Sequence, residues 1–461
     1  MHETDKILKQ VKKIHFIGIG GSGMCPIAEI LHSWGYTVTG SDNNPGDNID
    51  KLRSLGINVI LGQKPENIEG AELIVYTAAI LKDNPELVAA KESGIPCFER
   101  SKVFGALSRM YSNCVSVCGT HGKTTVTSML TQILVMADKD PSALIGGRLP
   151  LIDSHGRCGK TETFVCEACE YQNHYHELSP DVALILNVDE DHLEFFENLD
   201  NIIASFNKFA DMASKAVIYN GDDMNTVKSV AGIEGKDMIS FGREKTNDFY
   251  AENISYNRGS FAEFDVIHKG EKLGRVRLSI PGEHNITNTL GAFAAAMYCG
   301  ATAEQCIEGA QAFSGAGRRF EIIGECKGIT IADDYAHHPA ELEVMLNATQ
   351  KMGYDTVWAV FQPFTYSRTS ILFDDFVRVL QIPDRCVMTE IMGSREVNTY
   401  GIYTKDLSEK IPGSVWFNTF EEVADYVVAN AKSGDLIITL GCGDVYKAAR
   451  MMLRKLESME D

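Results

Sequence analysis

Cys114-Val115-Ser116-Val117-Cys118-Gly119-Thr120-His121-Gly122-Lys123-Thr124-Thr125 is an apolar strand that runs into a glycine turn and then a helical stretch reaching about Met136. Strand, tight turn and helix in direct succession is the unit from which α/β domains with parallel sheets are built. The turn carries chemistry as well. Backbone amides at a helix N-terminus favour an anion. Lys123 can neutralise β- and γ-phosphates, and the Thr124 hydroxyl can ligate Mg²⁺. Only two residues separate Gly119 from Gly122, so the full Gly-x4-Gly-Lys-Ser/Thr pattern is not met. A glycine turn beside a surface lysine is the plain alternative, and a nucleoside triphosphate site is favoured over it.

Downstream of the loop, Mg²⁺ needs further oxygen ligands. Glu167 and Glu170 follow the apolar stretch Thr163 to Glu167, and Asp189-Glu190-Asp191-His192 follows Val182 to Val188. Either acidic group alone reads as a solvated loop or a helix cap. After strands of the domain that carries the phosphate loop they read as metal ligands, because ligands collect at the carboxyl ends of parallel strands. Phe249 to Ile280 then alternates as antiparallel strands do, before a helix from about Asn285 to Tyr298.

Upstream, Ile14 to Gly18 is a strand, Gly18-x-Gly20-x-x-Gly23 a glycine turn, Pro26 to Trp34 a helix and Tyr36 to Gly40 a second strand, with Asp42 just beyond it. This is dinucleotide-fingerprint spacing, but the same physics serves any diphosphate, so a nicotinamide cofactor and another nucleotide stay equally open, with a merely structural glycine turn as the lesser alternative. Strands at Leu73 to Thr77 and Ile95 to Glu99 complete a small doubly wound domain closing near residue 106. In the last third, Gly315 to Arg319 suits a hinge. Strands at Ile329 to Ala332, Thr356 to Phe361, Arg385 to Thr389 and Asp435 to Leu440 predict another α/β domain. Within it Asp333-Asp334-Tyr335-Ala336-His337-His338-Pro339 gathers carboxylate, phenol and imidazole in one turn, with a His-His metal site or a plain loop both open. Arg318, Arg319 and Arg368 offer charge for phosphate or carboxylate, or merely for solvent.

At 461 residues the chain exceeds one core, and three domains are expected. No apolar run approaches the roughly 20 residues that cross a bilayer, and Met1 to Gln10 lacks the apolar core of a secretion signal, so a cytoplasmic protein is expected. A net charge of -20 argues against nucleic acid as the main partner, since that needs a basic footprint. The 12 cysteines have no framework spacing and read as reduced thiols. Cys166 and Cys169 form a lone Cys-x-x-Cys, weak as a zinc signal.

Taken in order, Ile14 to Met24, Gly119 to Thr125, Glu167-Ala168-Cys169-Glu170, Asn187 to His192, Gly282-Glu283-His284-Asn285 with Asn288, Gly315 to Phe320 and Asp333 to Pro339 resemble the Mur ligase family of peptidoglycan synthesis over essentially the whole chain. The resemblance implies a Rossmann-like UDP-sugar domain (1–106), a central P-loop ATPase-like domain (107–314) and a C-terminal Rossmann-like domain (315–461). It implies ATP and Mg²⁺ as cofactors and UDP-N-acetylmuramate and L-alanine as substrates, joined through an acyl phosphate, in a monomer or homodimer. By motif position Gly18, Gly20, Gly21, Ser22, Gly23, Met24, Ser41, Asp42, Thr77 and Ala78 hold the UDP-sugar. Gly119, Thr120, His121, Gly122, Lys123, Thr124, Thr125, Asn285, Asn288, Arg319 and Asp334 hold ATP, and Thr124, Glu167, Glu170 and His192 the metal. Lys123, Glu167, His192, Arg319, Asp334 and His337 form the catalytic set, and Tyr335 and Arg368 face the amino acid. With these residues spread over three domains, closure that keeps water from the acyl phosphate is expected.

The sequence departs from the family pattern at three places. Phe364 stands where a histidine is usual in the Phe-Gln-Pro motif, Asp189 replaces a glutamate, and Cys169 and Tyr171 replace Asp and Ser around Glu170. Lys208 is out of register with the carbamylated lysine of related ligases. Rival readings are a ligase that attaches a recycled tripeptide, an NAD-dependent oxidoreductase, which the phosphate loop disfavours, and a non-catalytic nucleotide-binding regulator, which Glu167, Glu170 and His192 disfavour.

Overall fold

Apolar strands alternating with helices build three sheets in the computed structural model, which describes residues 2–257, 260–394 and 396–459. The first holds β1 (Lys13–Ile17), β2 (Thr37–Asp42), β3 (Asn58–Leu61), β4 (Leu73–Tyr76) and β5 (Cys97–Glu99) in the order β3-β2-β1-β4-β5. Every neighbour pairs in parallel. Strand order reverses between β1 and β4, and a crevice opens at the carboxyl ends of such a pair. The glycine turn leaves β1 there and Thr77-Ala78 leaves β4.

The second sheet has ten strands: β6 (Asn113–Cys118), β7 (Ser142–Leu149), β8 (Ser154–Arg157), β9 (Thr163–Glu167), β10 (Val182–Ile185), β11 (Ala216–Asn220), β12 (Asp237–Gly242), β13 (Phe249–Asn257), β14 (Phe261–His268) and β15 (Glu271–Pro281). Their order is β15-β14-β13-β12-β11-β10-β6-β9-β7-β8. β6 is thus flanked in parallel by β9 and β10. The acids expected as metal ligands stand at or beyond the carboxyl ends of those two neighbours. β10 is buried along its whole length, as a strand covered on both faces must be.

The third sheet holds β16 (Glu321–Cys326), β17 (Ile329–Asp334), β18 (Val357–Phe361), β19 (Arg385–Thr389), β20 (Val415–Phe417) and β21 (Leu436–Leu440), ordered β16-β17-β21-β18-β19-β20. Only the edge pair β16 and β17 is antiparallel.

The chain gathers into two compact units. One comprises Met1–Asn253, Phe264–Val276 and Ile286–Phe313, and so holds the first sheet together with most of the second; the other comprises Ile254–Glu263, Arg277–Asn285 and Ser314–Asp461. Residue 106, expected to close the first domain, lies inside the helix Arg100–Ser108. That helix packs onto the turn segment Tyr171–Glu177 of the central region so closely that a Cβ at Gly105 would sit 2.1 Å from the Glu177 carbonyl oxygen. Gly105→Ala gains about 1 kcal/mol of helix propensity but forces backbone apart. We expect it to lower stability by about 2 kcal/mol net, read as a lower denaturant midpoint; an unchanged midpoint counts against this contact.

Candidate functional site

The turn after β6 is held open by its own backbone. Gly122 has φ 85°, and a side chain there would also meet the Asn288 Oδ1 at 2.8 Å. Asn187 clamps the turn from the β10 side: its Oδ1 accepts from the His121 N–H at 2.7 Å and its Nδ2 donates to the His121 carbonyl at 3.0 Å. The helix Lys123–Met136 starts at Gly122 with no acid of its own in its first turn, and the amides at a helix start favour an anion. Lys123 Nζ folds back onto the turn, donating to the carbonyls of Gly119 at 2.6 Å and Thr120 at 3.1 Å and to Glu170 Oε1 at 2.9 Å. Burial works against its charge, but Glu170 and the neighbouring acids more than compensate, and its pKa is raised.

The acids divide into two roles. Both oxygens of Glu167 accept from the Thr124 hydroxyl at 3.0 Å, and Oε2 also accepts from the Gly146 N–H on β7 at 2.8 Å. Glu167 and Thr124 are therefore bonded to each other. Glu170, Asp191 and His192 instead bring one ligand atom each within 4.8 Å of one another, the one such cluster found among the described residues. Glu170 is 3% exposed and its Oε2 is buried with no hydrogen-bond partner. A buried carboxylate oxygen left over is costly unless something binds it. Two carboxylates and an imidazole beside a phosphate loop fit Mg²⁺, which takes one or two protein carboxylates and completes its shell with phosphate and water. Cys166 lies 3.9 Å from the Cys114 sulfur in the core and takes no part.

In the first sheet, Gly18 and Ile19 donate to the Ser41 carbonyl at 2.8 and 3.0 Å. Asp42, expected to meet the ligand, spends its carboxylate on the turn itself, accepting from Gly20 N–H at 2.9 Å and Asn44 N–H at 3.1 Å. The Met24 side chain is 1% exposed in the core and Ser41 is fully buried, while Gly21, Ser22 and Ala78 are exposed and Thr77 half-buried. The sequence reading missed Arg100, whose guanidinium lies 3.1 Å from where a Cβ of Gly23 would be. An arginine four residues into an apolar, nondescript stretch gives no spacing signal; the fold brings it to the turn.

In the C-terminal unit the two arginines part company. Arg318 is a tie: Nε donates to Asp333 at 2.8 Å, Nη1 to the Gly443 carbonyl at 3.0 Å, and its guanidinium lies 5.1 and 4.9 Å from the rings of Tyr335 and Tyr446. Arg319 lies over the Tyr335 ring at 5.3 Å. Asp334 staples the turn, accepting from Phe320 N–H at 2.7 Å and Ala336 N–H at 2.8 Å. Burial pushes its pKa up to about 6, against Arg319 and those amides. His337 Nδ1 donates to the Tyr335 carbonyl at 3.1 Å, and burial lowers its pKa. His338 caps the helix Pro339–Gln350 and joins no metal cluster among the described residues. The Phe364 ring meets His337 edge-on at 6.4 Å. Arg368 Nη1 is buried with no hydrogen-bond partner, a donor aimed at nothing the protein supplies. Asn285 Nδ2 donates to the Pro281 carbonyl at 2.7 Å.

Three family models match in succession: the Mur ligase family catalytic domain at residues 13–112, the Mur ligase middle domain at 117–296 and the Mur ligase glutamate ligase domain at 318–443. The UDP-N-acetylmuramate–L-alanine ligase of Agathobacter rectalis is 43% identical over 449 residues, covering 96% of this chain and 98% of that protein. Among solved structures, the UDP-N-acetylmuramate-alanine ligase of Thermotoga maritima superposes with a TM-score of 0.84 at 27% identity, covering 97% of this chain and all of that one. A murein peptide ligase from Psychrobacter arcticus follows at 0.76 and 25% identity, covering 98% and 100%. A phosphate loop with flanking acids in the middle domain, a glycine turn at the switch point of the first sheet and full-length likeness to such enzymes have one meaning: the chain belongs to the Mur ligase family.

Proposed function

We propose that this protein ligates L-alanine to UDP-N-acetylmuramate at the expense of ATP, by way of an acyl phosphate, in the cytoplasm. The observation that carries the reading is the unpartnered Glu170 oxygen beside Lys123 at the phosphate loop, supported by full-length relatives that carry this activity in their names. No helix among the described residues is long and apolar enough to cross a membrane.

The geometry supports the following roles. The glycine turn after β1, with Arg100 above Gly23, takes the diphosphate of the sugar nucleotide, so Arg100→Ala should weaken its binding about tenfold and leave ATP binding unchanged. Equal affinity for the sugar nucleotide would remove Arg100 from that site. The turn 119–122 and Lys123 take the β- and γ-phosphates, with Asn288 beside Gly122. Glu170, Asp191 and His192 are the residues that hold Mg²⁺, which supplies charge neutralisation at the phosphates; Glu167 and Thr124 fix the loop. The lactyl carboxylate attacks the γ-phosphorus and ADP leaves. The amine of alanine then adds to the acyl carbon, and phosphate departs from the tetrahedral intermediate. Arg368 pairs with the alanine carboxylate beside Tyr335. Neutral His337, with its proton on Nδ1, presents Nε2 to take the proton that the attacking amine must lose.

Asp334 sets an acid limit. Its ionised form supports Arg319, so alanine-dependent turnover is expected to fall as pH drops through about 6, and Asp334→Asn should flatten that limb. Stability runs the other way. The native state holds this proton more tightly than the unfolded chain, so the group's contribution is present below its ordinary value near 3.8 and is lost as pH rises through about 6. An acid limb unmoved by the substitution would assign it elsewhere.

The test of the whole reading is phosphate release from ATP with UDP-N-acetylmuramate and each candidate amino acid or peptide in turn. Turnover with L-alanine is expected. Turnover with a tripeptide and none with alanine would transfer the protein to the peptide-ligase branch.

A further inference from the structure

Arg368 reaches its place through a strained turn. Thr365, which opens the helix Tyr366–Ile371, has φ 62°, where a β-branched residue is an outlier. Such a conformation costs free energy and persists only where the surrounding structure enforces it. The helix itself enforces little. It has six residues, no acid in its first turn, and the Thr365 hydroxyl accepts from the Arg368 N–H only at 3.4 Å. The hold comes from residues 392–396, which follow β19. Phe364 and Met392 form a parallel bridge, in which Thr365 N–H donates to the Met392 carbonyl at 3.0 Å and Met392 N–H to the Pro363 carbonyl at 2.9 Å. The Glu396 carboxylate then closes over the helix start. One oxygen accepts from the Ser367 N–H at 2.8 Å and the other from the Ser367 hydroxyl. The loop is shaped for this: Ser394 also has positive φ, 55°, Glu396 N–H donates to the Gly393 carbonyl at 2.9 Å, and a Cβ on Gly393 would stand 2.5 Å from the Tyr366 ring. Ser367 immediately precedes Arg368, whose Nη1 is buried with no hydrogen-bond partner.

We propose that Glu396 is a positioning residue for the amino-acid substrate: by gripping Ser367 it fixes the turn that presents Arg368 to the substrate carboxylate. The inference rests on the reading of Arg368 above and deepens it. Hydrogen bonds to an ionised acceptor are roughly twice as strong as those between neutral groups, and a carboxylate at a helix start also meets the favourable end of its dipole. An arginine recognises a carboxylate through two parallel N–H donors, a geometry that a small displacement of the turn spoils. Loss of Glu396 therefore weakens binding of the amino acid and leaves the ATP and sugar-nucleotide steps as they were.

Steady-state kinetics of the full-length protein, varying each substrate in turn, decide it. Glu396→Ala is expected to raise the KM for L-alanine about tenfold. Its kcat and its KM values for ATP and UDP-N-acetylmuramate should stay within about twofold of the parent, the pattern of lost uniform binding of one substrate. The second arm is a double-mutant cycle. If Glu396 acts through Arg368, adding Glu396→Ala to Arg368→Ala leaves the alanine KM where Arg368→Ala alone put it. If Glu396→Ala melts early, Ser367→Ala, which gives up one of the two bonds, is expected to raise the alanine KM about threefold and enters the same cycle. An unchanged alanine KM overturns the proposal, as do losses that multiply in the double variant or a joint rise in all three KM values. An alanine KM unmoved by Arg368→Ala would instead overturn the role of Arg368, and this inference with it.

Discussion

Lys123→Ala should lower ATP-dependent turnover by about 10³-fold or more, because on the proposed reading it removes an ammonium that meets the charge developing on the transferring phosphoryl group. The side chain is only 15% exposed and already charged, so it enters the reaction without being desolvated at that moment. UDP-N-acetylmuramate binding should stay nearly intact, since none of the hydrogen bonds of Lys123 reaches the first sheet. The substitution also strips Glu170 of its cation, and a broken buried pair costs stability. A melting curve therefore has to accompany the kinetics. Turnover within a few-fold of the parent in a folded variant would remove the loop from the mechanism.

Glu170→Gln should raise the Mg²⁺ concentration for half-maximal rate by about 10- to 100-fold, while Lys123 keeps an oxygen to bond. The change is nearly isosteric and removes the charge whose second oxygen has no protein partner. Glu167→Gln separates the two acids. Its carboxylate serves Thr124 and Gly146, so its loss should disturb the loop and nucleotide affinity more than the metal requirement. The reverse order of effects would make Glu167 the principal ligand.

What the sequence disclosed and what it hid have physical causes. The phosphate loop and the acids were legible because each is a short run at a strand end, and β6, β9 and β10 lie side by side as parallel strands with ligands at their carboxyl ends do. β9 and β19 begin and end where the residues alone place them. The hairpin β7–β8 was invisible because Gly146-Gly147 interrupts its apolar pattern, and β3 and β20 also went unread. Roles set by tertiary contact were beyond reach. Asp191 was among the acids expected as metal ligands, but Asn187, a few residues before it, carried nothing to mark it as the loop clamp. Arg100 had no motif at all. By residue type alone Arg318 and Arg319 looked equivalent, and only the family resemblance singled out Arg319; Arg318 is consumed by Asp333 and the 441–443 carbonyls. Asp42 was expected at the ligand, and nothing in the sequence showed that it also holds the glycine turn.

The most direct test of the account follows an oxygen atom. With ¹⁸O in the lactyl carboxylate of UDP-N-acetylmuramate, attack on the γ-phosphorus and later loss of phosphate from the acyl carbon must carry one labelled oxygen into each phosphate released. One ¹⁸O per phosphate during alanine-dependent turnover is the expected result, and unlabelled phosphate would contradict the acyl-phosphate mechanism.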